Sequence, residues 1–395
     1  MRRLILLAFL LFCLSGISCE TNVSDDRITP GAERMDKYLP ILDDKSVAVV
    51  ANHTSLVGKT HLVDTLIAHN INLVKIFSPE HGFRGDKDAG EIIHNFEDEE
   101  TGIPVISLYG SSRKPELSAL EDVDIVVFDI QDVGVRFYTY LSTMHYVMEA
   151  CAESGTKFLI LDRPNPNGFY VDGPVLEMDN SSFVGMHPIP LVHGMTLAEL
   201  ARMINKEGWL EGERQCDLEW VPCDNYTHDS LYKLPVKPSP NLPNMRSIYL
   251  YPSLGLFEGT IINVGRGTDF PFQVYGHPDM KGNITYTPES MKNASREPRH
   301  QDIECAGVDL RNYPLDSLLN NPGIRLQWLY DAYKQLDQGE DFFLPFFINL
   351  SGNNILQNQI LEGVPIREIK EGWKEDLEIF MKKRDKYLIY DDFGR

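Results

Sequence analysis

Five short, largely apolar runs set the strongest limit on how this chain can fold. They are Ser46-Val47-Ala48-Val49-Val50, Leu73-Val74-Lys75-Ile76-Phe77, Pro104 to Leu108, Asp124-Ile125-Val126-Val127-Phe128-Asp129 and Lys157 to Leu161. A strand with one wet face alternates apolar and polar residues, whereas a strand covered on both faces does not. Helical patterns separate these runs, at His61 to His69 and at Tyr138 to Glu153, where Gly155 supplies the stop. Strands alternating with helices predict βαβ units, a parallel sheet and an α/β fold.

The pattern weakens after a helix expected at Leu197 to Glu207. The run Lys237-Pro238-Ser239-Pro240-Asn241-Leu242-Pro243 has no regular period and must be loop. A glycine-rich segment follows from Leu256 to Asp269. The remainder mixes short strands with helices such as Leu326 to Leu336 and Glu371 to Tyr387. A domain change is therefore expected near residue 270, giving domains of 39–270 and 271–395. Ahead of them, Arg2-Arg3, the apolar Leu4 to Leu14 and Gly16-Ile17-Ser18-Cys19 read as a processed leader too short to anchor a chain across a bilayer. The expectation is a lipoprotein signal over 1–18, lipidation at Cys19 and a polar tether over 19–38; ordinary secretion is the alternative.

The formal net charge of −21 argues against nucleic acid or an anionic membrane surface as partner. The membrane then enters only through a lipid on Cys19, and an anionic small ligand would need local arginines. Cys151, Cys216, Cys223 and Cys305 have no metal-type spacing; Cys216 and Cys223 would pair only in an oxidising compartment.

Four of the five runs are followed by dense polar groups: Asn52-His53-Thr54-Ser55, then Glu80-His81-Gly82-Phe83-Arg84, then Asp129 to Tyr138, then Asp162-Arg163-Pro164-Asn165. On a parallel sheet all these ends lie along one edge, where ligand sites of open α/β sheets collect. There is no Gly-x-Ser-x-Gly elbow, no phosphate-binding Gly-x-x-x-x-Gly-Lys loop and no His-Glu-x-x-His. Gly265-Arg266-Gly267 lacks the third glycine of a dinucleotide fingerprint. Carboxylate acid/base chemistry remains, the equipment of a glycosidase. Asp129, Asp162, His81 and His193 keep a metal-dependent hydrolase open, although their spacing is not a recognised one. Structural readings also stand: an ion pair within Asp162-Arg163, Arg136 neutralising Asp132, and Thr196 as a helix N-cap.

Several longer motifs occur in a fixed order: Asn52-His53-Thr54-Ser55, Ser78-Pro79-Glu80-His81-Gly82-Phe83-Arg84-Gly85, Ser107-Leu108-Tyr109-Gly110, Leu161 to Pro166, His193-Gly194-Met195-Thr196, Ser239-Pro240-Asn241 and Glu258-Gly259-Thr260. On these the chain resembles the NamZ-type exo-β-N-acetylmuramidases, a bacterial glycoside hydrolase family. The resemblance implies a Rossmann-like N-terminal domain with a smaller α/β C-terminal domain. It also implies release of N-acetylmuramic acid from the non-reducing end of peptidoglycan fragments; separately, the missing motif spacings lead to the expectation of no cofactor and no metal. Carried over by motif, Glu80 is the general acid, beside His81, and its partner is one of Asp129, Asp132 and Glu258. Arg84, Arg136, Arg163 and Arg266 are candidates to hold the lactyl carboxylate. Asn52, His53, Gln131, Tyr138, Asp162, Asn165 and Glu258 complete the expected sugar contacts. Relatives usually carry other polar residues where Ile261-Ile262-Asn263-Val264 stands here. A non-catalytic sugar-binding lipoprotein is the competing reading, because the same arginines would serve it.

Overall fold

The computed structural model of the protein describes residues 26–79, 82–83, 96–110 and 113–394. Its centre is a seven-stranded sheet. From edge to edge the strands are Leu218–Val221, Lys157–Leu161, Ile125–Asp129, Ser46–Ala51, Asn72–Ser78, Pro104–Ser107 and Phe96–Glu97. All neighbours pair in parallel except the short edge strand Phe96–Glu97. The chain steps outward from Ser46–Ala51 to Pro104–Ser107, returns to the other flank of Ser46–Ala51, and steps outward again. This doubly wound order reverses between Ser46–Ala51 and Ile125–Asp129, and their carboxyl ends flank the crevice such a reversal creates.

The continuous apolar runs have a direct cause in the layering. Val47, Val49, Ile125, Val127, Leu159 and Leu161 pack into one core with Tyr38, Leu42, Leu62 and Leu66. Ala48, Val50, Val126, Phe128, Phe158 and Ile160 face the opposite core, with Met144, Val147, Leu200 and Met203. Each strand thus divides its residues by parity between two dry faces.

Local signals place the helices. Tyr140–Ser154 ends at Gly155, whose φ of 78° provides the left-handed stop. Leu197–Lys206 begins with a capping box in which Glu199 N donates to Thr196 Oγ1 and Thr196 N donates to Glu199 Oε2. The helix expected over Glu371 to Tyr387 is present as Lys374–Arg384, preceded by a separate short helix Ile366–Glu371. Gly372 stands at the break and Trp373 is buried there. The four cysteines of the described chain are buried free thiols, so Cys216 and Cys223 are not bridged.

The C-terminal part holds a three-stranded antiparallel sheet, Val274–His277, Cys305–Asp309 and Ile284–Tyr286, followed by short helices. Its last segment returns to the first domain. Tyr390 Oη donates to Asp162 Oδ2 at 2.6 Å, Ile389 N to Glu199 Oε1 at 2.8 Å, and His228 N to Asp391 O at 2.9 Å. The buried Arg384 donates to Gly194 O and pairs with Asp392. Among the described residues no helix is long and apolar enough to cross a membrane.

Candidate active site

The crevice at the strand-order reversal is filled by the protein's own side chains. Arg163 holds Asp129 through two bonds, Nε to Oδ1 at 2.5 Å and Nη2 to Oδ2 at 2.8 Å, and also donates to Leu56 O. Both are almost fully buried. Burial opposes the charge on Arg163, and the Asp129 carboxylate more than restores it, so the guanidinium pKa is raised. Ser55 Oγ donates to Asp129 O. Thr54 Oγ1 donates to Asn52 Oδ1 and accepts from Gln131 N, while Gln131 Nε2 donates to Asp132 O and Pro164 O. Asp129 and Arg163 are thereby committed to holding strand ends together, while Asn52 and Gln131 each keep one buried amide atom, Nδ2 and Oε1, without a partner among the described residues.

Other expected ligand residues are likewise enclosed. Arg136 does not neutralise Asp132. It is 1% exposed and donates to the carbonyls of Pro174, Ile189, Leu350 and Ser351. Those bonds tie the first domain to the end of helix Phe346–Ser351, and burial without a counter-ion draws its pKa down to about 9. Asp162 accepts from Ala198 N at the start of helix Leu197–Lys206 and from Tyr390 Oη; burial pushes its carboxyl up to about 6. It does not pair with Arg163. Asn165 bonds Met195 O, half-buried His53 bonds Lys237 O, and buried His193 accepts from Met195 N in the turn before the same helix. Among the described residues no group of three or more His, Cys, Asp or Glu side chains is placed to hold a metal ion.

Asp132 is the buried carboxyl with the least support. Its Oδ1 accepts from Gly134 N at 2.7 Å, Oδ2 has no partner among the described residues, and burial pushes it up to about 7. A carboxyl whose pKa rises on folding binds its proton more tightly in the folded chain. Its contribution to stability is therefore largest in acid and is lost as pH climbs from about 4 through 7. Asp132→Asn keeps an acceptor for Gly134 and removes the titration. The variant should exceed wild type at pH 8 by on the order of 2–4 kcal/mol and match it near pH 4. Urea unfolding at both pH values checks this, and an equal effect at each would mean that Asp132 does not change protonation on folding.

The open chemistry lies beside this network. A cleft of about 560 Å³ is walled by Tyr109, Arg113, Phe137, Tyr138, Tyr140, Phe183, Ser239, Asn241, Tyr251, Glu258, Arg266, Phe272, Phe346 and Asn349, among others. That volume suits a small-molecule site, for which about 300–1,000 Å³ is typical. Tyr138 packs edge-to-face on Tyr140 at 5.0 Å and Tyr251 at 6.0 Å, and Tyr251 does the same on Phe272 at 4.9 Å. The Tyr138 hydroxyl donates to Pro238 O, so the proline-rich loop is fixed to this aromatic wall. Glu258 and Arg266 form an ion pair on the cleft, Nε to Oε1 2.6 Å, with Arg266 over Phe272.

Of the expected set, the cleft thus brings together Tyr138, Glu258 and Arg266. Glu80, His81 and Arg84 lie outside the described residues, as does Cys19. Of their described flanks, one leads toward the cleft and the other packs in the core on the opposite face of the sheet. Ser78 sits opposite Ser107 in the sheet, and Ser107 leads to Tyr109 on the cleft wall. Gly82, with φ 79°, donates to Pro79 O, and the buried Phe83 packs edge-to-face on His61.

Residues 47–246 match the family model described as Exo-beta-N-acetylmuramidase NamZ, N-terminal, and residues 249–390 match its C-terminal counterpart. The chain belongs to the NamZ family. It is 40% identical over 379 residues to the peptidoglycan beta-N-acetylmuramidase NamZ of Bacillus subtilis strain 168, covering 89% of each chain. Two solved structures of DUF1343 family proteins from Bacteroides fragilis share the fold. One is 50% identical with a TM-score of 0.87, covering 93% of this chain and 99% of the other. The second is 28% identical with a TM-score of 0.80, covering 92% and 99%. In this NamZ chain the two family parts meet within helix Met245–Leu254.

Sequence reasoning missed Arg113, Tyr140, Phe183, Phe272 and Asn349. Arg113 stands over the Phe183 ring at 4.2 Å, and both line the cleft. It follows the strand Pro104–Ser107, so the same attention to strand ends would have found it. Asn349 comes from the distant helix Phe346–Ser351, and nothing in its neighbourhood announces it.

Proposed function

We propose that the chain is an exo-acting glycoside hydrolase that releases N-acetylmuramic acid (MurNAc) from the non-reducing end of peptidoglycan fragments. The observation that carries this reading is the cleft of a NamZ-family chain, with an aromatic wall and a carboxylate–arginine pair, next to the strand end that leads into Glu80. Glycoside hydrolysis needs one acid to protonate the leaving oxygen and a second group to activate water or attack the anomeric carbon. Glu80 takes the first role by its motif. Glu258 takes the second, in place of Asp129 and Asp132, because it is the member of that carboxylate set whose side chain reaches the cleft. The rings of Tyr138, Tyr251 and Phe272 offer apolar faces and edges to the sugar. Incubation with a disaccharide of MurNAc β-linked to N-acetylglucosamine (GlcNAc) tests the function: free MurNAc should appear, and an intact disaccharide would refute it.

The enzyme is proposed to act in the cell envelope, held by a lipid on Cys19 after removal of residues 1–18. The leader composition and the polar tether support this. Cys19→Ser should move the protein from the membrane fraction to the soluble fraction and abolish incorporation of labelled fatty acid. Unchanged fractionation would overturn the anchor.

A further inference from the structure

Glu258 and Arg266 also line a second, smaller cavity of about 170 Å³, together with Asn263, Ser295, Arg299 and the exposed Glu297. Arg299 is half-buried, and its guanidinium has no hydrogen-bond or ion-pair partner among the described residues. Burial draws its pKa down, with the nearby Glu258 carboxylate acting in the opposite sense. A guanidinium carries five donors in a planar fork matched to a carboxylate. Leaving them partly desolvated and unmet is unfavourable, so an anionic acceptor arriving in this cavity completes the site.

Asn263 holds the two arginines in register. It is 2% exposed, and its Nδ2 donates to the backbone carbonyls of Arg266 at 3.1 Å and Arg299 at 2.9 Å. Its Oδ1 accepts from Gly265 N at 2.6 Å, which fixes the amide. One buried side chain therefore sets the spacing between a cation on the main cleft and a cation in the side cavity. The side cavity falls below the usual range for a whole ligand. It suits a substituent projecting from a sugar seated in the cleft.

We propose that this side cavity is the subsite for a carboxylate-bearing substituent on the sugar: the lactyl ether that distinguishes MurNAc from GlcNAc. Arg299 is its receptor, Arg266 flanks it, and Asn263 is the positioning residue. The assignment rests on the muramidase reading, which supplies the sugar. It also gives a reason for the unmet charge on Arg299: a neutral hexosamine has no charge to offer it, and Arg266 already has Glu258.

Titration calorimetry with MurNAc, its neutral lactamide and GlcNAc tests the subsite without needing turnover. Wild type should bind MurNAc about ten- to a hundredfold more tightly than the lactamide, the weight of charged hydrogen bonds. Arg299→Met should erase that preference while leaving GlcNAc affinity within about twofold, and Arg299→Lys should restore part of it because a point charge lacks the fork. Thermal unfolding of each variant confirms that it is folded. A preserved preference in Arg299→Met, or equal losses for MurNAc and lactamide, overturns the subsite. MurNAc release from the disaccharide is read in parallel. Release by wild type with an unchanged preference in the variant removes the subsite and leaves the muramidase reading standing. No release removes that reading, and the binding arm still decides the carboxylate site.

Discussion

Glu80→Gln should give a folded protein whose turnover of the MurNAc–GlcNAc disaccharide falls by about 10²–10⁴-fold, the usual weight of a positioned proton donor. An amide of the same shape fills the same space but cannot hand a proton to the leaving oxygen. The described neighbours on either side are held by features that do not use the carboxylate: the Gly82 N–H to Pro79 O bond and the packing of Phe83 on His61. The deficit should depend on the leaving group. An aryl MurNAc glycoside departs as a stabilised phenolate and needs little protonation, so the variant should lose much less activity on it. Equal losses on both substrates would show that Glu80 is not the acid. A large drop in unfolding temperature would show that it is structural.

Asp129→Ala should do the reverse, costing about 3–5 kcal/mol of stability. Removing the carboxylate leaves the Arg163 guanidinium buried without its counter-charge, and only the bond to Leu56 O remains among those described above. Desolvating a lone cation is far more costly than the pair's own net contribution. Chemical denaturation of the single variant and of an Asp129→Leu/Arg163→Met pair separates the two effects. The double variant should recover much of the loss. If Asp129→Ala is as stable as wild type but inactive, the carboxylate belongs to the chemistry after all.

These two carboxylates show where reading the sequence succeeds and where it stops. The parallel sheet was legible because strands dry on both faces cannot alternate, and the Ile125–Asp129 run carries that mark without interruption. The chemical edge was legible too, since four of the five strand ends carry dense polar groups. What a polar residue does at that edge depends on its partner. Asp129 is taken by Arg163, 34 residues away, and Asp162 by Tyr390, 228 residues away. No local pattern carries that information. Arg136 was the hardest case: a guanidinium satisfied by four carbonyls has no acidic residue to betray it. Glu258 and Arg266 were legible only through the family motif that carries them; their pairing, eight residues apart in a glycine-rich segment, is a finding of the structure.

The strap formed by Arg384 to Asp392 bears on how the molecule comes to exist in time. Asp162, Glu199 and the His228 backbone sit in the first domain, yet their bonds are completed by Tyr390, Ile389 and Asp391. A chain delivered from its N-terminus, by a ribosome or through a pore, offers the sheet long before it offers the strap. Such distant closures are slow, because their loop entropy is lost before any contact is gained. During delivery the first domain is thus an unfinished body with open polar sockets. Its final locking waits for residues that arrive last among those it needs, and the two family parts mature as one cooperative unit.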